Sequence, residues 1–169
     1  MSLSTPGMDG KLRNMASVYI ISEEKVLLLY RVGSSVVNES YVGTGGGHFE
    51  QNELNDAKAC VIRELNEETG LSESDIDKLH LRYITLRLKK NEIRQNYYFF
   101  AELKNKQKNI SSNEGQLNWF TLEEATKLEM PHSAEYMFLH YVKMGRFNDK
   151  LYGGVATEDH VAFVELNEF

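Results

Sequence analysis

Arg63-Glu64-Leu65-Asn66-Glu67-Glu68-Thr69-Gly70-Leu71 sets carboxylates at positions i, i+3 and i+4 of a predicted helix, Glu64, Glu67 and Glu68. At about 3.6 residues per turn they share one face. Three carboxylates within a turn repel one another and weaken the helix unless a cation sits among them. Mg²⁺ or Mn²⁺ meets that need, because each takes carboxylate oxygens and bridges to substrate phosphates. Read without a ligand, the run is a solvated acidic helix end, as charge runs commonly are.

The flanks support the helix. Gly70 stands where a helix stops on a left-handed residue, and Leu71 folds back onto the last turn. Upstream, Ala57-Lys58-Ala59-Cys60-Val61-Ile62 supplies helix formers and an apolar stripe, so the helix is expected from about Asn55 to Thr69, with Asn55 or Asp56 as its cap. Before it, Gly43-Thr44-Gly45-Gly46-Gly47-His48-Phe49-Glu50 reads as a strand end passing into a glycine-rich loop. Such a loop lets backbone groups approach a metal or phosphate closely.

These residues resemble the signature of the Nudix hydrolases, G-x5-E-x7-R-E-U-x-E-E-x-G-U with U aliphatic. The second half, R-E-L-N-E-E-T-G-L, matches throughout. In the first half Gly47 and Glu53 fit G-x5-E, but the gap from Glu53 to Arg63 is two residues longer than the family's. Counting back from Arg63 puts Asn55 where the family has its first glutamate, a residue that supports the box arginine. Residues 53–55 are therefore read as a lengthened loop before the helix. The resemblance spans about Met15 to Met144, and its specific part is Gly43 to Leu71.

The resemblance implies an α/β/α sandwich, a bound divalent metal and hydrolysis of a nucleoside diphosphate linked to a further group. It makes Glu67 and Glu68 the core metal ligands, with Glu64 and the Gly46 carbonyl completing the site. Arg63 orients the acidic cluster by pairing with a carboxylate. Attack of water on phosphorus suits such a site, since metals clamp phosphate oxygens, neutralise developing charge and lower the pKa of the attacking water.

Composition is consistent with one enzyme domain. The chain of 169 residues can bury a sizeable core, and a formal net charge of −6 argues against binding of nucleic-acid polymers while leaving a small nucleotide substrate compatible. The single cysteine, Cys60, cannot form an internal disulfide and is expected to be buried as a small hydrophobe. No apolar run approaches a membrane span and no signal-peptide core opens the chain, so the expected location is cytoplasmic. Residues 1–14 are read as a flexible opening or expression remnant before a single domain over 15–169.

The remaining pattern is that of a mixed α and β fold. Met15 to Ile21 and Lys25 to Val32 read as a hairpin, and Tyr41 to Gly43 as a third strand. His80 to Leu88 and Ile93 to Leu103 read as paired strands, followed by a polar break from Lys104 to Asn113 and a strand over Gln116 to Thr121. Thr121 caps a short helix over 122–128, and Ser133 is expected to cap an amphipathic helix running to about Met144. Lys150 to Thr157 and His160 to Leu166 read as a C-terminal hairpin that finishes the core, covers the site or forms a homodimer contact.

Outside the motif, Glu114 lies in a loop just before a strand, where many Nudix enzymes carry a glutamate that binds metal or acts as base; an ordinary exposed loop glutamate is the plainer reading. Arg31 ends the second strand near the expected mouth of the site, where its guanidinium holds a phosphate or pairs on the surface. His132 and Ser133 occupy the region where relatives that cleanse oxidised guanine nucleotides contact the base, and His48, directly following the glycines, is placed to meet phosphate, with a structural histidine as the plainer reading. Trp119 and Tyr97 are read as core or pocket wall. Asn113-Glu114-Gly115-x-Leu-x-Trp119 and the tail look similar to bacterial 8-oxo-dGTP diphosphatases, which points to an oxidised or ordinary nucleoside triphosphate as substrate. The alternatives are a nucleotide sugar or ADP-ribose-like conjugate, and a nucleotide-binding domain without turnover, which the altered front half of the motif motivates and the intact Glu64, Glu67 and Glu68 oppose.

Overall fold

A computed structural model describes residues 10–33 and 39–167; residues 1–9 of the expected flexible opening lie outside them. In chain order the strands are β1 (Lys11–Ser22), β2 (Lys25–Arg31), β3 (Ser40–Val42), β4 (Gly45–His48), β5 (Ile76–Lys89), β6 (Glu92–Leu103), β7 (Gly115–Thr121), β8 (Leu151–Ala156) and β9 (Val161–Leu166). The helices are α1 (Ala57–Thr69), the single turn α2 (Leu122–Ala125) and α3 (His132–Lys143). The main path of the sheet runs β3-β2-β1-β6-β5-β8-β9, with β4 also on β1 and β7 on β2. It is a mixed sheet: β1 and β6 are parallel, as are β5 and β8, and the hairpin pairs are antiparallel.

Alternation along the central strands builds a core on each face. Ala16, Val18 and Ile20 of β1 join Phe99 and Ala101 of β6 under α1, which contributes Cys60, Val61 and Leu65. Tyr19, Tyr98, Phe100 and Tyr83 point the other way, against Met137, Phe138 and Tyr141 of α3. Central strands buried on both faces read as continuous apolar runs, which is why 97–101 is Tyr-Tyr-Phe-Phe-Ala. Cys60 is fully buried as expected, and burial pushes its thiol up to about 12. No helix of the described residues is long and apolar enough to cross a membrane.

Several expectations change. β1 begins at Lys11, so residues 11–14, expected in the flexible opening, pair with β6. The glycines expected to form a loop are instead β4, antiparallel to β1. Its lack of side chains lets α1 lie directly on it: a Cβ on Gly45 would stand 2.8 Å from Leu65 Cα. Ser133 does not cap α3. Pro131 has the extended backbone a cap requires (φ −55°, ψ 142°), and its carbonyl accepts from the Glu135 amide. The C-terminal hairpin forms as expected and, through the parallel β5–β8 pair, extends the sheet. Its strands help to finish the α3-side core, since Tyr152 stacks on Tyr83 and Phe163 meets the same ring edge-on.

Helix α1 starts at Ala57, with the Asp56 carboxylate accepting from the Ala59 amide, and stops at Gly70 in the left-handed region (φ 73°). The two additional residues before it are absorbed by a 3₁₀ turn, Gln51–Glu53, that brings Glu53 inward. Arg63 donates both Nε (2.7 Å) and Nη2 (3.0 Å) to the two oxygens of Glu53, and the Glu50 amide adds a third bond at 2.9 Å. The supporting carboxylate is thus Glu53, 4 % exposed, while Asn55 lies on the surface.

The Arg63 hydrogen bonds hold the Glu53 carboxyl at about 2, against an ordinary 4.5. A carboxyl depressed on folding stabilises the fold above its unfolded pKa and loses that contribution as pH falls through the folded value. Glu53→Gln is expected to cost about 2 kcal/mol at pH 7. In denaturant titrations its deficit against the parent should be constant above about pH 4.5 and shrink toward pH 2.

Candidate active site

The last turns of α1 present Glu64, Glu67 and Glu68 beside β4. Arg63 Nη1 donates to Glu64 at 2.8 Å and to Glu67 at 3.2 Å, while Nη2 also reaches the His48 carbonyl at 3.1 Å. Glu67 is exposed, Glu64 is half-buried, and Glu68 is only 4 % exposed. Burial pushes the Glu68 carboxyl up to about 7, against the opposing pull of Arg31. Burial likewise raises Glu64, partly offset by Arg63.

Glu68 is held from two sides, by Arg31 Nη2 at 3.0 Å and by the Gly46 amide at 3.3 Å. Arg31 also pairs with Glu114, so a guanidinium from the end of β2 bridges the helix carboxylate and the loop carboxylate. That loop is tied to α1: the Asn113 amide and side chain donate to the carbonyls of Glu68 and Glu67, both at 3.3 Å. These bonds satisfy carbonyls the helix end leaves free. Gly47 faces the same cluster, and a Cβ there would stand 2.4 Å from the Glu64 carboxyl carbon.

Among the described residues no three acidic or histidine side chains already converge as a cage for a cation. Arg63 and Arg31 hold Glu64, Glu67, Glu68 and Glu114 in pairs. The donor set nevertheless fits a hard divalent ion: the side chains that face one another are carboxylates, and a side-chain-free glycine cradle faces Glu64. Glu64, Glu67 and Glu68 could hold it, with Glu114 within reach of the same arginine.

Beside this cluster a cavity opens on the α3 side of the sheet, bounded by Arg31, Glu68 and Gly46 at one end and by Arg87, Arg94 and Asn96 at the other. Ser133 lines it, and its hydroxyl is buried without a partner among the described residues. Expected for a cap, Ser133 is instead part of the cavity wall. His132 turns away from the cavity and packs on Tyr136, which stacks edge-on with His160. His48 ends β4 with its ring partly open to solvent; the partial desolvation of the ring, then Arg13 and Arg94, hold its pKa below the usual value. Trp119 is 38 % exposed on β7, and Tyr97 packs on Phe49 on the α1 side, so neither is a wall of this cavity.

The structure therefore gathers Gly46, Arg63, Glu64, Glu67, Glu68, Arg31 and Glu114 around one point, adds Ser133 along the cavity, and leaves His132 outside. Arg87, Arg94 and Asn96 were not singled out by the sequence. Their only signal was charge and polarity at alternate positions of strands whose other face is apolar.

The sequence matches the NUDIX domain family over residues 11–141. No curated relative matches it. Among solved structures, a MutT protein from Bacillus halodurans shares 20 % identity with a TM-score of 0.63, over 90 % of this chain and 97 % of that one. A NUDIX hydrolase from Nitrosomonas europaea superimposes with a TM-score of 0.67 at 14 % identity, over 86 % and 79 % of the two chains. An Ap4A hydrolase from C. elegans gives 0.62 at 18 % identity, over 80 % and 99 %. At these identities the likeness is one of fold; the family match, extending from the start of β1 into α3 and including the whole acidic cluster, carries the assignment, and the chain belongs to the NUDIX domain family and is a hydrolase of phosphoanhydride bonds.

Proposed function

We propose that this chain is a metal-dependent nucleotide pyrophosphohydrolase whose substrate is a nucleoside triphosphate, oxidised or ordinary, cleaved to the monophosphate and pyrophosphate. The observation that carries this reading is the placement of Glu68 in the wall of a cavity that Arg31 also lines, with Glu64 and Glu67 beside it on the same helix. A divalent ion bound there supplies Lewis acidity and a more acidic water. The likeness in fold to a MutT protein is compatible with a triphosphate substrate, and the likeness to an Ap4A hydrolase with other nucleoside polyphosphates.

The chain's own residues do the rest. Glu67 and Glu68 would hold the ion, and Arg63, bonded to Glu64 and Glu67, fixes the orientation of both carboxylates. Arg31 exchanges its carboxylate partners for a substrate phosphate, for which its planar fork is suited. That exchange would free Glu114, on its exposed loop, to serve as a further carboxylate ligand or to accept a proton from water. The Ser133 hydroxyl offers a hydrogen bond to the nucleoside inside the cavity.

Pyrophosphate or phosphate release from 8-oxo-dGTP, dGTP, ADP-ribose and a nucleotide sugar, with Mg²⁺, Mn²⁺ or chelator, tests the reading. Release is expected from the triphosphates and abolished by chelator; silence across the panel with metal bound would favour a binding domain. Glu67→Gln and Glu68→Gln should each lower kcat about a hundredfold or more with the fold intact. Full activity in both would remove α1 from the mechanism. Gly47→Ala should displace the Glu64 carboxylate rather than the backbone, lowering activity about tenfold or more while leaving the melting temperature near that of the parent.

A further inference from the structure

The cavity end remote from the acidic cluster is strongly cationic in an otherwise acidic chain. Lys11, Glu92 and Lys89 occupy one row across β1, β6 and β5, and Arg13, Arg94 and Arg87 occupy the row two residues further along. Spacing by two puts all six side chains on one face, the face that carries the cavity. Five cations there meet a single carboxylate, Glu92, which pairs with Arg13 and Arg94 at 3.3 Å each. Among the described residues Arg87, Lys11 and Lys89 have no acidic partner. Like charges directly opposite on paired strands destabilise a sheet, so packing gives no reason for the Arg13-Arg94-Arg87 row.

The row's position supplies a reason. Ser17 of β1 pairs with Gly46, whose amide holds Glu68, and Arg13 lies four residues down the same strand. Four residues of strand span about 13 Å, a separation on the scale of a nucleoside with its phosphates. Arg87 and Arg94 line the cavity itself.

We propose that Arg87 and Arg94, with Arg13 behind them, form a second anion subsite that takes a phosphate on the ribose of the substrate, at the end opposite the scissile anhydride. This rests on the nucleotide pyrophosphohydrolase reading and narrows it to nucleoside polyphosphates bearing an additional ribose phosphate. Arg87 presents an uncommitted guanidinium fork for two phosphate oxygens, and Arg94 shares its charge between the phosphate and Glu92.

Calorimetric titration of the Mg²⁺-loaded protein with adenosine and guanosine 5′-monophosphates and with the matching 3′,5′-bisphosphates tests this without turnover, since none contains an anhydride. The bisphosphate is expected to bind about tenfold more tightly than the monophosphate. That preference should fall to about twofold in Arg87→Gln and Arg94→Gln, and should weaken as salt rises. Equal affinities in the parent, or a preference unchanged in Arg87→Gln, would overturn the subsite while leaving the nucleotide site standing. Binding of neither ligand would overturn the nucleotide reading and the subsite with it. Arg87→Gln is expected to melt at or above the parent temperature, because it removes a like charge; melting several degrees lower would mark Arg87 as scaffold and overturn the assignment.

Discussion

The guanidinium of Arg63 joins the parts on which the site is built. One planar group reaches Glu53 in the 3₁₀ turn, the His48 carbonyl at the end of β4, and Glu64 and Glu67 on its own helix. A lysine, with a single charged point on a flexible stem, could not satisfy these directions together. The entry into α1, the glycine strand and the acidic face are consequently fixed relative to one another by one side chain. Glu53 takes the bidentate bond, so Glu64 and Glu67 share one remaining nitrogen and keep oxygens available for a ligand.

Around this anchor the electrostatics are divided. Carboxylates collect where the α1 end meets β4, and guanidinium groups collect at the far end of the cavity that Glu68 borders, with Arg31 beside the carboxylates. A chain of net charge −6 gains little from such clustering by packing alone. Each region is arranged for charge of the opposite sign to arrive: a cation at the carboxylates, anions at the arginines.

What could be read in advance follows from how local each signal is. The helix over 57–69 and the hairpin of β1 with β2 were legible because capping, left-handed glycine and apolar periodicity act within a few residues. β4 was not, because Gly45, Gly46 and Gly47 have no strand propensity and form a strand only because β1 pairs with them and α1 needs their bare surface. The role of Glu53 was hidden by the longer spacing to Arg63, which a 3₁₀ turn absorbs without changing where the carboxylate arrives. Ser133 shows the reverse: a residue type suited to capping sits two places past the cap, Pro131, and lines the cavity instead. Arg87 and Arg94 belong to a local hairpin, but their alignment with Arg13 depends on the β1–β6 pairing, between segments far apart in the chain.

That parallel pairing also bears on the order in which the molecule is made. β1 emerges first and can form its hairpin with β2 and accept β4 at once, yet its other edge stays bare until β6 has been synthesised. Pairing across so much intervening chain closes a long loop, and contacts of that kind set slow folding rates. The acidic cluster can therefore assemble from the first half of the chain while the sheet that backs the cavity is still incomplete. During that interval the apolar edge of β1 is the segment most exposed to pairing with another nascent chain.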